Sequence, residues 1–175
     1  LLIEKDKLGG ARLYNGTLSS KTFWELSKDI ESARSRVKRY MNGEFNVAFK
    51  DVLADVNEAL GHRKAILENQ ITTLQQLHSD KFDYVKGMGK LKTKNEVVIT
   101  TTDGKEEIIT AEYIILATGS RPRKLAHIPV DEKHIVTSDG IERFENFPKS
   151  IVIMGAGVIG CEWATIFSNF GYTKV

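Results

Sequence analysis

A single cysteine, Cys161, stands in 175 residues, which leaves no partner for an intrachain disulfide and excludes a multi-cysteine zinc centre; no metal site is expected. Proline is nearly as scarce. Its three copies, Pro122, Pro129 and Pro148, all fall between 121 and 149, a stretch that reads as an irregular crossover. Long apolar runs are absent too: stretches such as Ile114–Ala117 fall far short of the roughly 18–20 residues a membrane helix needs. No charge of one sign dominates, since 25 Lys and Arg face 23 Asp and Glu. That balance gives no basic face for nucleic acid. Leu1-Leu2-Ile3 runs into Glu4-Lys5-Asp6 without the basic flank of a leader. The expectation is a soluble intracellular protein with neither nucleic acid nor membrane among its partners. With 41% hydrophobic and 27% charged residues, the composition is that of a folded domain.

Leu1–Glu4 reads as a strand ending in an acid, then Gly9-Gly10 and Asn15-Gly16 punctuate loops. From about Ser19, with Ser19 or Ser20 as N-cap, Phe23, Leu26, Ile30, Ala33 and Val37 recur at helical spacing. A second stripe from Phe49 to Leu77 predicts an amphipathic core helix, with Gly61 as a point of bending. Phe82–Lys86, Gly87-Met88-Gly89, Glu96–Thr101 and Glu107–Thr110 read as an antiparallel meander with a turn at Asp103-Gly104. Tyr113–Ala117 reads as a strand buried on both faces, and Ile151–Met154 as a buried strand. A helix is expected over Ile159–Phe170, capped by Gly171. The aliphatic start and the strand-like end at Val175 suggest a piece of a longer chain, or its ordered part.

The strongest chemical signal is Gly155-Ala156-Gly157-Val158-Ile159-Gly160, set between an expected strand and an expected helix. This is G-x-G-x-x-G in the context that gives it meaning. Gly155 permits the tight turn, Gly157 lets a pyrophosphate approach the backbone, and Gly160 brings the helix close to the sheet. Free N–H groups at the helix start then face the phosphates. The acid or arginine that separates NAD from NADP would lie beyond Val175, so the choice stays open. Cys161 reads as a small core residue, and His62, His78, His127 and His134 as surface or loop residues.

Ile3-Glu4-Lys5, Leu8-Gly9-Gly10, Ser20-Lys21, Gly87-x-Gly89, Ala117-Thr118-Gly119-Ser120 and the 155–160 loop occur together in one order. In this the chain resembles the FAD-linked pyridine nucleotide-disulfide oxidoreductases, which include dihydrolipoamide dehydrogenase and soluble pyridine nucleotide transhydrogenase. The resemblance implies an α/β fold of two dinucleotide-binding domains, present in part. Residues 1–119 would be a partial FAD domain with an antiparallel meander. Residues 120–175 would hold the crossover and first strand–loop–helix of a Rossmann NAD(P) domain. It implies FAD and NAD or NADP as cofactors. Glu4 would hold the adenosine ribose, Gly89 would offer backbone to the adenine, and Thr118-Gly119 would mark the crossing between domains near the FAD. Lys21 would lie beside the flavin, paired with Glu162 as the catalytic pair, while Gly155, Gly157 and Gly160 would bind the second dinucleotide. The first FAD strand would precede Leu1. The remaining NAD domain and a dimerisation domain would follow Val175, giving a homodimer or a larger complex. By the same analogy a mitochondrial location stands beside a cytoplasmic one.

The resemblance fails at the redox disulfide. Where the family carries C-x-N-x-G-C followed by I-P-S-K, this chain has Arg12, Tyr14 and Thr17, then Leu18-Ser19-Ser20-Lys21. Two expectations follow. One is an enzyme that passes hydride from NAD(P)H through flavin to a non-disulfide acceptor. The other is a catalytically degenerate member serving as a structural or regulatory subunit.

Overall fold

The computed structural model describes residues 1–14, 16–41, 43–123 and 125–175, so Asn15 of the expected Asn15-Gly16 signal lies outside the described residues. Its elements are β1 (Leu2–Glu4), α1 (Gly10–Tyr14), α2 (Thr17–Tyr40), α3 (Phe49–Leu77), β2 (Tyr84–Leu91), β3 (Glu96–Thr101), β4 (Glu106–Thr110), a 3₁₀ turn (Ser138–Arg143) and α4 (Val158–Phe170). They pack as two compact units: Leu1–Gly10 with His62–Ser120, and Ala11–Gly61 with Arg121–Val175. These are packing units and do not follow the 1–119 and 120–175 division, which concerns ligand chemistry and stays a proposal.

The first unit is built on one mixed sheet in the order β1-β2-β3-β4, with β1 parallel to β2 and the other pairs antiparallel. The β-branched run of β3 suits it to the middle of this meander, and Ile99 at its centre is 1% exposed. Asp103-Gly104 makes the expected turn, with Gly104 at φ +83° and its N–H donating to the Thr101 carbonyl at 2.9 Å. The glycines of 87–89 do not break β2, which runs through them. Gly87 is required for packing, because a Cβ there would stand 2.8 Å from the Thr100 carbonyl oxygen. The expected buried strand at 113–117 is not formed. Asn95 Nδ2 donates to the Ala111 carbonyl at 2.8 Å, but past that point no described strand lies alongside. Without a neighbour an apolar run has neither a ladder nor cover, and Tyr113 and Ile115 are 82% and 91% exposed.

The second unit has an aromatic core. Phe23 from α2, Phe49 from α3 and Trp163, Phe167 and Phe170 from α4 are all buried, with Phe144, Phe147 and Tyr172 packed around them. Phe23 meets Trp163 at 5.3 Å between ring centroids and Phe49 at 5.9 Å, distances at which aromatic pairs add to area burial. α2 starts earlier than its periodicity suggests. Its N-cap is Gly16, at φ +105° and without a side-chain capping bond. Ser19 and Ser20 therefore lie in the first turn, both buried, and neither is the cap; the Ser19 hydroxyl has no partner. α3 meets the core-helix expectation only over its first half, where Phe49, Val52 and Val56 are buried. Past Gly61 it belongs to the other unit, which lays no buried apolar layer over it, and Leu74 and Leu77 are exposed.

The crossover is held by its own polar groups. The Asp131 carboxylate accepts N–H bonds from Lys133, His134 and Ile135 at 2.8–3.0 Å, which hold it well below the usual carboxylate range. Residues 151–154 correct a second strand expectation. Only Ser150 forms a parallel bridge, to Lys174, and Ile151 N–H donates to the Lys174 carbonyl at 2.8 Å. Ile151 and Ile153 face the core while Val152 and Met154 are 88% and 76% exposed. The segment is thus covered on one face, because α4 packs on one side only.

α4 ends at Gly171, in the left-handed conformation at φ +71°. The Arg34 guanidinium donates to the Asn169 carbonyl and lies 5.9 Å from the centroid of the Tyr172 ring, a cation placed at the negative end of the helix. A Cβ at Gly171 would fall on that guanidinium. Gly171→Ala is therefore expected to destabilise the protein by about 2–3 kcal/mol, combining positive-φ strain with loss of the arginine cap. Urea denaturation with an unchanged midpoint would contradict it.

Candidate dinucleotide and redox site

The glycine turn is shaped as its sequence requires. Gly155 has φ +115°, a conformation that side chains resist. Gly157 is the N-cap of α4, with open space where a Cβ would stand. At Gly160 a Cβ would lie 2.1 Å from the Gly155 carbonyl oxygen, so the first turn of α4 is pressed onto the loop. The turn lines an open cleft of about 1330 Å³ together with the crossover, its lining including Met154, Ile159, Ile128 and Val136. An uncapped helix N-terminus beside open backbone suits a phosphate, so these residues fit a dinucleotide pyrophosphate.

Cys161 is exposed rather than in the core. It sits in the first turn of α4 on the outward face, and its Sγ approaches the Ala156 carbonyl at 3.5 Å. The four histidines are exposed, and no metal-binding group of His, Cys, Asp or Glu is present among the described residues. No helix among them is long and apolar enough to cross a membrane.

Lys21, in the second turn of α2, and Glu162, in the second turn of α4, are brought together across 141 residues of sequence. Lys21 Nζ lies 2.7 Å from Glu162 Oε1, with side-chain exposures of 63% and 12%. Exposure of the lysine limits the pair to about 1 kcal/mol or less. Its importance is placement of charge. The same carboxylate oxygen also receives the Ser20 hydroxyl at 3.4 Å. Sequence reasoning missed that contact, because no spacing rule links residue 20 to residue 162.

The remaining candidates belong to the first unit. Glu4 ends β1 opposite Lys86, and its Oε1 accepts the Asp6 N–H at 2.8 Å, leaving the second oxygen for another donor. Gly89 pairs with Ile99, and its Cβ position is bordered by Val97 and Ile3 at 3.5–3.7 Å, ordinary contact distances. Thr118 and Gly119 are exposed, and Gly119 has φ +77° with open space around it. In the second unit Arg12 and Thr17, at the positions of the motif's two cysteines, are both exposed.

The fold is α/β with a glycine turn shaped to accept a phosphate, and comparison makes the class specific. The chain belongs to the pyridine nucleotide-disulphide oxidoreductase family, whose profile matches residues 1–175. It is 32% identical to a soluble pyridine nucleotide transhydrogenase of Vibrio vulnificus over 97% of this chain and 36% of that protein. It is 30% identical to the dihydrolipoyl dehydrogenase of Bacillus subtilis, over 97% of this chain and 36% of the relative, and 30% identical to leghemoglobin reductase of Glycine max, over 96% and 31%. The crystal structure of LpdA from Mycobacterium tuberculosis superposes with a TM-score of 0.77 at 22% identity, over 97% of this chain and 36% of that one, so the fold is shared. The chain spans about a third of the length of these relatives.

Two substitutions separate the glycines. Gly157→Ala is expected to cost no more than about 1 kcal/mol, the difference between Gly and Ala at an N-cap, because the space at its Cβ position is open. Gly160→Ala should cost about 2–4 kcal/mol because a backbone oxygen occupies the Cβ position. Thermal melts with the two variants reversed in order would contradict this assignment.

Proposed function

We propose that this chain is the nucleotide- and flavin-handling part of a FAD-dependent oxidoreductase that draws hydride from NADH or NADPH and passes it to an acceptor other than a disulfide. The observation that carries the reading is the Lys21–Glu162 pair, built on two packed helices, one of which starts at the glycine turn. FAD, when bound, supplies a two-electron carrier between the nicotinamide and the acceptor. The rest is the work of this chain's residues. Gly155, Gly157 and Gly160 bind the nicotinamide dinucleotide through its pyrophosphate. Glu4 and Gly89 serve the ribose and adenine of FAD, and Thr118 and Gly119 mark the crossing between the domains near it. Lys21 places a positive charge where negative charge develops during hydride transfer, and Glu162 holds that lysine in place, a preorganised electrostatic contribution. Homodimer formation, through segments outside this chain, belongs to the same proposal.

A disulfide acceptor is disfavoured by the motif itself. Disulfide reduction requires a neighbouring thiolate to exchange with substrate. Thr17 has a hydroxyl that neither stores electrons nor exchanges, and Arg12 is long and permanently charged. Cys161 has no second thiol in the chain. A second reading, a structural or regulatory subunit, is favoured by the simultaneous departure of Arg12, Tyr14 and Ser19 from the family motif.

Lys21→Met is expected to slow flavin reduction by NAD(P)H by roughly 10- to 100-fold while leaving dinucleotide affinity within about twofold. An equal loss in both would remove Lys21 from the chemical step. Assays with lipoamide, glutathione disulfide and a flavin-accepting dye test the acceptor. Turnover of dye alone is expected. Disulfide turnover at the dye's rate would sink the non-disulfide reading, and a colourless protein inert toward every acceptor would favour the subunit.

A further inference from the structure

We infer that Ser20 is a positioning residue that fixes the Glu162 carboxylate for its partner Lys21. The inference rests on the reading that this pair serves hydride transfer. Consecutive residues of α2 donate to one oxygen, Oε1 of Glu162: Lys21 Nζ at 2.7 Å and Ser20 Oγ at 3.4 Å. The two donors differ in what they can fix. Lys21 is 63% exposed on a flexible four-carbon stem, so it follows the carboxylate rather than orienting it. Ser20 is 7% exposed, with one side-chain torsion, and is held on a helix whose next turn is locked by the Phe23–Trp163 contact. A short buried hydroxyl loses little entropy when it forms a bond. Its other acceptor, the Thr17 carbonyl, lies at 3.5 Å. The two acceptors stand at nearly the same distance, and the carboxylate, being charged, is the stronger one.

A second buried serine on the seam between α2 and α4 bonds in the opposite sense, accepting from α4 rather than donating to it. One helical stretch further on, Asn169 Nδ2 donates to Ser27 Oγ at 3.2 Å, and Ser27 donates to the Trp24 carbonyl at 2.8 Å. Buried serines of α2 thus address polar side chains of α4 on either side of the aromatic contact. At Ser27 the partner is a neutral amide near the end of α4. At Ser20 it is a carboxylate 12% exposed and tied to a lysine. Removing the hydroxyl leaves Glu162 with a single mobile donor, and the carboxylate is then free to rotate toward solvent with Lys21 in tow.

The test uses Ser20→Ala, Ser20→Thr, Lys21→Met and the Ser20→Ala/Lys21→Met double variant of the purified protein, each first checked for a folded spectrum. Crystal structures or side-chain NMR without cofactor report the Glu162 rotamer. Ser20→Ala should release it, and Ser20→Thr, which keeps the hydroxyl, should restore it. Should threonine's extra methyl disrupt folding, the wild-type and Ser20→Ala rotamers decide the matter. In the FAD-loaded protein, single-turnover reduction by NAD(P)H should fall about tenfold in Ser20→Ala with dinucleotide affinity unchanged. In the Lys21→Met background the same change should have no further effect. An unchanged Glu162 rotamer in Ser20→Ala, or an additive rate loss in the double variant, would overturn the inference. If wild-type protein reduces no flavin, the proposed function fails while the rotamer comparison still decides the role of Ser20.

Discussion

The packing of α2 on α4 is the constraint on which the candidate redox site depends. Phe23 and Trp163, both buried, set the distance between the two helices. Aromatic rings of that size define helix separation more rigidly than aliphatic side chains, because their planes leave few alternative packings. One residue before Trp163 and two before Phe23 stand Glu162 and Lys21. Their 2.7 Å approach is therefore a consequence of an apolar contact, since a largely exposed ion pair supplies too little energy to dock two helices. Arg34 and Gly171 close the far end of the same seam, and Tyr172 extends it by accepting the Val47 N–H at 2.8 Å.

The departures in the redox motif gain physical meaning in this setting. The first turn of α2 persists without either cysteine because Gly16 supplies the left-handed entry and Leu13 and Phe23 anchor the helices on either side. Ser19 replaces the motif's proline at the cost of a buried, unpartnered hydroxyl, a group that ordinarily costs about 1–3 kcal/mol. The helical scaffold is thus retained without either cysteine of the motif.

Apolar segments that behave differently from their composition show how far burial depends on neighbours. Tyr113–Ala117 and Ile151–Met154 have the residue content of interior strands, yet the first is exposed at all but Ile114, with no described strand beside it, and the second is open on the face away from the core. The second half of α3 shows the same effect in a helix, with an apolar stripe carried past Gly61 into exposure. Residue type sets what a segment gains from burial, while its neighbours decide whether the gain is realised.

Local signals carried much of this protein. Helical periodicity placed α2, α3 and α4, Asp103-Gly104 placed the hairpin, and the glycine spacing at 155–160 placed the phosphate turn, because each depends on steric rules acting within a few residues. The family motifs singled out Lys21 and Glu162 from opposite ends of the chain. Only the tertiary structure decided the rest. It moved the start of α2 back to Thr17, capped by Gly16, turned Cys161 outward, left one strand-like run exposed and another covered on one face only, and set Ser20 against Glu162. Each of these depends on which surfaces meet across more than a hundred residues, or on a neighbour that is present or missing. No spacing within a segment encodes that.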